Sequence, residues 1–197
     1  MANQRRVILS IEKAKRIDTG VLNKEAQNTT FNPDLKLGTS EVDNYSRIEG
    51  SQITKTELTD NERLKIFEES GWSKELISSF RWKEEVEVYK YQKLKEKQVD
   101  GRQVLQRGDI DPNFKDEQGI TNKERMENGK APIVDGKPVE LHHIGQKQDS
   151  PFAELTSSVH KENYRNLHDV PPQPSQIDRK SFAKEKADYW KKRAEDF

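Results

Sequence analysis

The run Ile133-Val134-Asp135-Gly136-Lys137-Pro138-Val139-Glu140-Leu141 constrains this chain more than any other stretch. Asp-Gly between two apolar runs is the preferred two-residue hairpin turn, so a hairpin is predicted here and the adjacent pair His142-His143 stands at the end of its second strand. After a break from Gly145 through Pro151, the alternation in Phe152-Ala153-Glu154-Leu155-Thr156 reads as a returning strand. Ser157 or Ser158 can then cap a helix over His160 to His168, which Pro171-Pro172 stops. The local order is strand, loop, strand, helix.

Composition bounds how much else can be ordered. A chain of 197 residues that is 30% hydrophobic and 36% charged can hold one domain with a modest core, without burying its whole length. Its 35 basic and 35 acidic residues balance, so any polyanion site must be local. The absence of cysteine excludes a disulfide framework and any thiolate site. No apolar run approaches the roughly 20 residues of a membrane span, and residues 1–20 lack the apolar core of a signal peptide. If the protein leaves a cell, another segment or machine must carry it. Residues 1–55 show no sustained period apart from Val7-Ile8-Leu9-Ser10-Ile11, and Asn28 through Lys55 reads as a polar linker; the expectation is a poorly ordered leader over 1–55. The folded domain is expected over 56–197, helical in 56–98, loop-rich and then catalytic in 99–197.

Order is expected to begin at Thr59, where threonine followed three residues later by Glu62 has capping-box spacing. Leu64 and Phe67 fall at helical spacing behind it, and Gly71 supplies a left-handed stop. Ser73 can cap a second helix with Leu76, Ile77 and Phe80 on one face, and Phe80, Trp82, Val86, Tyr89 and Leu94 extend a third pattern. These aromatics read as core, with base stacking on Trp82 or Tyr89 as the alternative. From Val99 the chain is punctuated by Asp100-Gly101, Arg107-Gly108-Asp109, Asp111-Pro112-Asn113 and Gly119, and reads as loops. Asp109, Asp111 and Asp116 lack the glycine and distal glutamate of a calcium loop. Thr121 and Glu124 repeat the capping-box spacing before a short helix that Gly129 ends. Ser181 to Phe197 carries a basic amphipathic helix pattern with Phe182, Tyr189 and Trp190.

All four histidines lie between His142 and His168. Imidazole serves both as a general base near neutral pH and as a metal ligand, and a ββα unit with histidines at a strand end and on the following helix can build a one-metal hydrolytic site. Neighbouring strand residues face opposite ways, so a division of His142 and His143 into ligand and base is natural. On one uninterrupted helix, His160 and His168 would stand about 12 Å apart along the axis and could not share an ion with bonds of about 2.1 Å. Taken alone, the cluster also admits a structural zinc site, a pH-sensitive surface or coincidence.

The stretch Val134 to Gln146, with Leu141-His142-His143 at its centre, resembles the signature of the LHH nucleases, a branch of the HNH/endonuclease VII (His-Me finger) superfamily found at the C-termini of bacterial polymorphic toxins. The resemblance extends to Pro151 through Thr156, His160, Leu167-His168, Ile177-Asp178-Arg179 and Tyr189-Trp190-Lys191. Upstream it takes in Gly71-Trp72-Ser73, Asp109-Ile110-Asp111 and Thr121 through Met126. It implies an α+β fold, a ββα-metal core surrounded by helices and loops, and a metal-dependent endonuclease. It also implies roles: His142 as metal ligand, His143 as the base that activates water, and His168 as the distal ligand. His160 stands where many relatives carry asparagine. It is a ligand if the helix starts late or bends, and an orienting catalytic residue if it does not; the continuous helix favours orientation. Arg125, Lys147, Arg165, Arg179 and the basic tail helix, with Lys184, Lys186, Lys191, Lys192 and Arg193, are candidates for phosphate contacts, and Glu140 for support of a histidine. The cofactor implied is one divalent ion, magnesium, manganese or zinc. DNA is the expected substrate, with RNA the alternative, and the runner-up is a noncatalytic nucleic-acid-binding or structural-zinc module. A toxin role carries with it a cognate immunity protein and translocation into a target-cell cytoplasm.

Overall fold

The structure, a computed structural model, describes residues 55–169 and 172–197. The leader reading of 1–55, including the stretch Val7 to Ile11, lies outside the described residues except for Lys55, as does part of the Pro171-Pro172 stop. Helix α1 (Asp60–Ser70) starts at the Thr59–Glu62 capping box, in which the threonine hydroxyl accepts from the Glu62 amide and the Glu62 carboxylate accepts from the Thr59 amide. It stops at Gly71, whose φ of 71° is the left-handed conformation expected there. The apolar face differs from the prediction: Ile66 is buried, whereas Leu64 and Phe67 are exposed. Two further helices follow, α2 (Lys74–Ser78), capped by Ser73, and α3 (Lys83–Tyr91). Trp72, Leu76, Ile77, Phe80, Val86 and Tyr89 all enter the core. Leu94 is buried too, but in the turn beyond α3 rather than on the helix.

The segment after Leu94 is a hairpin, not loops. Strands β1 (Lys95–Val99) and β2 (Arg102–Gln106) pair antiparallel around Asp100-Gly101, both at positive φ. A two-residue turn with both residues in the left-handed region matches the twist of the strands it joins. The strand escapes detection because Lys-Glu-Lys-Gln-Val has no apolar alternation; β1 is an edge strand with mostly exposed side chains. Beyond it, Asp109 pairs with Arg107 and Asp116 with Arg125, so two of the three aspartates weighed as a calcium loop are engaged with guanidinium groups.

Helix α4 (Asn122–Glu127) has the expected capping box at Thr121 and Glu124. Strands β3 (Ile133–Val134) and β4 (Lys137–His143) form the predicted hairpin, with Asp135 and Gly136 at φ 51° and 70°. A 3-10 turn (Ile144–Gln146) and a loop lead to β5 (Phe152–Thr156), which runs antiparallel to β4 and parallel to β2. The sheet order is β1-β2-β5-β4-β3. After β5 come α5 (Ser157–Glu162), α6 (Tyr164–Leu167) and the long α7 (Arg179–Arg193), capped by Asp178. The cap of α5 is Thr156, one residue before the predicted serines, with its hydroxyl accepting from the Val159 amide.

Period-two alternation divides the sheet between two apolar clusters. Leu105, Ala153 and Leu155 pack with α1 to α3 and Leu167, while Val104, Val139, Leu141 and Phe152 pack with Met126 and with Phe182, Tyr189 and Trp190 of α7. The α+β expectation with a ββα unit at its centre holds. Glu154, fully buried on the α7 face, accepts from the Tyr189 hydroxyl at 2.5 Å, Arg193 Nε at 3.0 Å and the Arg107 amide at 2.7 Å. Burial raises its carboxyl above the ordinary range, and the Arg193 charge and these donors oppose that rise. This network ties β5, α7 and the chain after β2 together in one place.

Candidate metal and catalytic site

Strand alternation sends the adjacent histidines to different neighbours. Glu140 and His142 share one face of β4, and His143 shares the other with Val139 and Leu141. His142 is 3% exposed and lies beside Tyr89, with ring centroids 6.5 Å apart. His143, equally buried, is held between Phe152 and Phe182, with centroids 4.7 and 4.4 Å away.

His142 does not stand alone on its face. The rings of His142, His160 and His168 lie about 5 Å from one another, at 5.1, 5.0 and 5.0 Å between centroids. One nitrogen from each lies within 4.8 Å of the others. The continuous helix on which a 12 Å separation depends is absent. Asn163 sits at φ −102° and ψ 19°, between α5 and α6, and its side-chain amide donates to the Val159 carbonyl four residues back. Asparagine that binds nearby backbone groups competes with regular helix, and the chain bends there. His168 then falls at the end of α6, beyond the bend, and turns back toward His160. The reading that kept these two histidines from one ion is therefore corrected.

Hydrogen bonds decide which nitrogens are free. His160 Nδ1 contacts the Glu140 carboxylate at 2.6 Å and so carries a proton, leaving Nε2 as a lone-pair donor. His168 Nδ1 donates to the Tyr164 carbonyl at 3.1 Å, and its ring stacks on Tyr164 at 4.3 Å, which again leaves Nε2. His142 Nδ1 faces His160 Nε2 at 3.2 Å. Two ligand atoms on a tetrahedral ion with bonds of about 2.1 Å stand about 3.4 Å apart, so that pair is already near the required separation. Burial, then the neighbouring histidines, holds His142 well below the usual imidazole range, and burial followed by His160 lowers His168 to about 4. Neutral imidazole is the ligand form. The His160 bond in turn depresses the Glu140 carboxyl. The donor set and its geometry fit a divalent ion.

His143 meets a different environment. Burial, then Arg102, then Arg179 lowers it to about 4, while the Gln148 backbone opposes the shift. Its Nε2 is buried without a hydrogen-bond partner. A neutral imidazole with a bare, unpartnered nitrogen has the form required of a general base.

Both histidine environments open on one cleft of about 670 Å³, lined also by Glu140, Lys147, Arg179 and Lys186. Of the residues expected to contact phosphate, Lys147 and Arg179 line this cleft; Arg125 and Arg165 do not. Arg125 instead bonds Asp116 at 2.6 Å and the Ala131 carbonyl at 2.9 Å, a structural use. Lys186, one of the basic residues expected on the tail helix, also lines the cleft, whereas sequence reading passed over Arg81 at the end of the α2–α3 connection and Arg102 in the unrecognised strand β2. The Asp100-Gly101 turn was the available signal for Arg102, since it places that residue at the start of a strand.

Residues 121–196 match the family model of a nuclease of the HNH/ENDO VII superfamily with conserved LHH. The tripeptide in this chain is Leu141-His142-His143. The matched segment holds all four histidines, the hairpin and α7, but not α1 to α3 or the β1–β2 hairpin. No solved structure matches the chain.

Proposed function

Starting from a chain whose residues 121–196 match the family model of the LHH nucleases of the HNH/ENDO VII superfamily, we propose that this protein is a metal-dependent endonuclease that hydrolyses the phosphodiester bonds of DNA. One observation carries the reading: three imidazoles converge on one face of β4 while the unpartnered His143 lines the same cleft from the other. His142, His160 and His168 would hold the ion, His142 offering Nδ1 and the other two Nε2. A bound divalent cation supplies Lewis-acid stabilisation of the charge that develops on the phosphate and on the departing oxygen. His143 Nε2 takes the proton of the attacking water as its oxygen bonds to phosphorus and the ester oxygen leaves. Phe152 and Phe182 fix the base's ring, and Arg179 and Lys147 stand where they can meet phosphate oxygens. Glu140 orients His160 by accepting its Nδ1 proton.

Purified protein incubated with plasmid DNA or with RNA, in the presence of magnesium, manganese or zinc, tests the assignment beside His143→Ala. Loss of the base is expected to slow cleavage by roughly a hundredfold to ten-thousandfold without loss of metal binding. Cleavage that survives the substitution sinks the role of His143, and preference for RNA sinks the substrate. Tight zinc binding with no cleavage of either polymer favours a structural-zinc module.

The same reading makes the protein a toxin effector, translocated into a target-cell cytoplasm and held harmless in its producer by an immunity protein. Support comes from the polymorphic-toxin branch that the sequence resembles. Expression in a bacterial cytoplasm without a partner is then expected to stop growth, and His143→Ala to restore it. Unimpaired growth with soluble, metal-loaded wild type would refute the toxin role.

A further inference from the structure

Beyond the catalytic cleft the protein has a second cavity of about 930 Å³, bounded by α2, the β1–β2 hairpin and the loop between β4 and β5. The two are continuous: Arg81, Gly145, Lys147 and Gln176 line both. The neck between them has one fixed wall. Gly145 has a φ of +72°, and a Cβ there would stand 2.8 Å from the Ser79 backbone carbonyl, so the turn after β4 is seated directly on the end of α2. Lys147, two residues on, is exposed, and its ammonium has no hydrogen-bond or ion-pair partner among the described residues.

The walls carry a spaced pattern of charge. Arg81 stands at the neck on the helical side, paired with Asp169 at 3.1 Å, Lys147 on the loop side, and Arg102 on β2 in the second cavity, where its guanidinium covers Phe152 at 4.3 Å and pairs with Glu185 at 3.3 Å. Between them lie neutral hydrogen-bonding side chains, Ser78 and Gln98 among them, both exposed. Two carboxylates, Glu75 and Asp149, also border the cavity. A small anion is best held by cations gathered at one point. Cations set apart on different walls, with amides and hydroxyls between, suit a polymer that repeats one charge per unit and carries polar groups between charges.

We propose that this second cavity is a binding subsite for the nucleic-acid strand on one side of the scissile bond, its phosphates passing Arg81, Lys147 and Arg102. The proposal rests on the nuclease reading and adds to it a path for the strand away from the metal face. Substitutions remote from the histidines test it. Ser78→Glu and Gln98→Glu place new carboxylates on two walls of the cavity and touch none of the groups assigned to chemistry.

Fluorescence anisotropy with a long labelled single-stranded DNA, using the full chain without metal, reads binding alone. The double variant is expected to bind about tenfold more weakly, and Lys147→Ala to lower the salt slope by about one. In zinc- or magnesium-loaded protein, kcat/KM on the long strand is expected to fall in parallel. Hydrolysis of bis(p-nitrophenyl) phosphate, which reaches only the metal centre, is expected to hold at the wild-type rate. Unchanged affinity in the folded double variant overturns the subsite, and so does an equal loss on the small diester, which signals distortion of the centre. Wild-type protein that hydrolyses neither substrate defeats the nuclease reading, while the anisotropy still decides the subsite.

Discussion

At the scale of single residues, the chain shows how burial assigns chemistry. His142 and His143 are neighbours of the same type and equal exposure, yet one meets two imidazoles and the other two phenyl rings. That division was legible beforehand from strand alternation alone. Glu140 was legible as support for a histidine, but that the histidine is His160 was not, because it depends on where a helix twenty residues later comes down. Glu85 was equally hidden: a glutamate in a charged run that proves to be 1% exposed, its carboxylate accepting from the Arg81 and Trp82 amides at the start of α3. Burial raises it to about 7, and those amides only partly oppose the rise. An acid raised above its unfolded value contributes no penalty below about pH 4.5, where both states are protonated. As pH climbs to 7 the unfolded chain ionises and the folded one resists, so stability is lost, by roughly 3 kcal/mol at full ionisation. Glu85→Gln keeps an oxygen for the amides and removes the charge. Denaturant unfolding is expected to show wild type and variant nearly equal at pH 4.5, with the variant ahead by an increasing margin up to pH 8; a constant margin would contradict the assignment.

At the scale of elements, legibility followed local signals. Capping boxes at Thr59 and Thr121 and the turn at Asp135-Gly136 gave α1, α4 and the β3–β4 hairpin close to their observed limits. The β1–β2 hairpin was lost because its outer strand has no apolar face to announce it. The bend between α5 and α6 was lost for a different reason: asparagine is tolerated within helices, and only its bond to the Val159 carbonyl reveals that it breaks this one. That bend is what turns a helix with two distant histidines into two walls of one site. Asn163→Ala, with its better helix propensity, is therefore expected to favour a straight segment. Isothermal titration with zinc should show affinity weakened several-fold, while the melting temperature changes little, since the propensity gain is only about 0.5 kcal/mol. Undiminished zinc affinity would show that the bend is held by packing rather than by Asn163.

At the scale of the whole molecule, the sheet is a partition with helices on both sides, and the histidine-lined cleft opens where that partition ends at His143. The proposed ion site joins β4 to the two helices that follow β5, so metal binding there would be coupled to tertiary structure. Free zinc at a hundred times its dissociation constant is expected to add about 2.7 kcal/mol to unfolding free energy. Scanning calorimetry should show the rise in wild type and its loss in a His142→Ala variant; a rise that survives the substitution would place the ion elsewhere. The two margins of the sheet bear on a separate matter. One is β1, studded with Lys95, Glu96 and Lys97, and the other is β3, only two residues long. A bare strand margin is a template on which a second polypeptide can lay itself down, and here one margin repels such an addition while the other gives it almost nothing to grip. The consequence is that the described sheet offers little margin on which copies of the chain could add strands to one another.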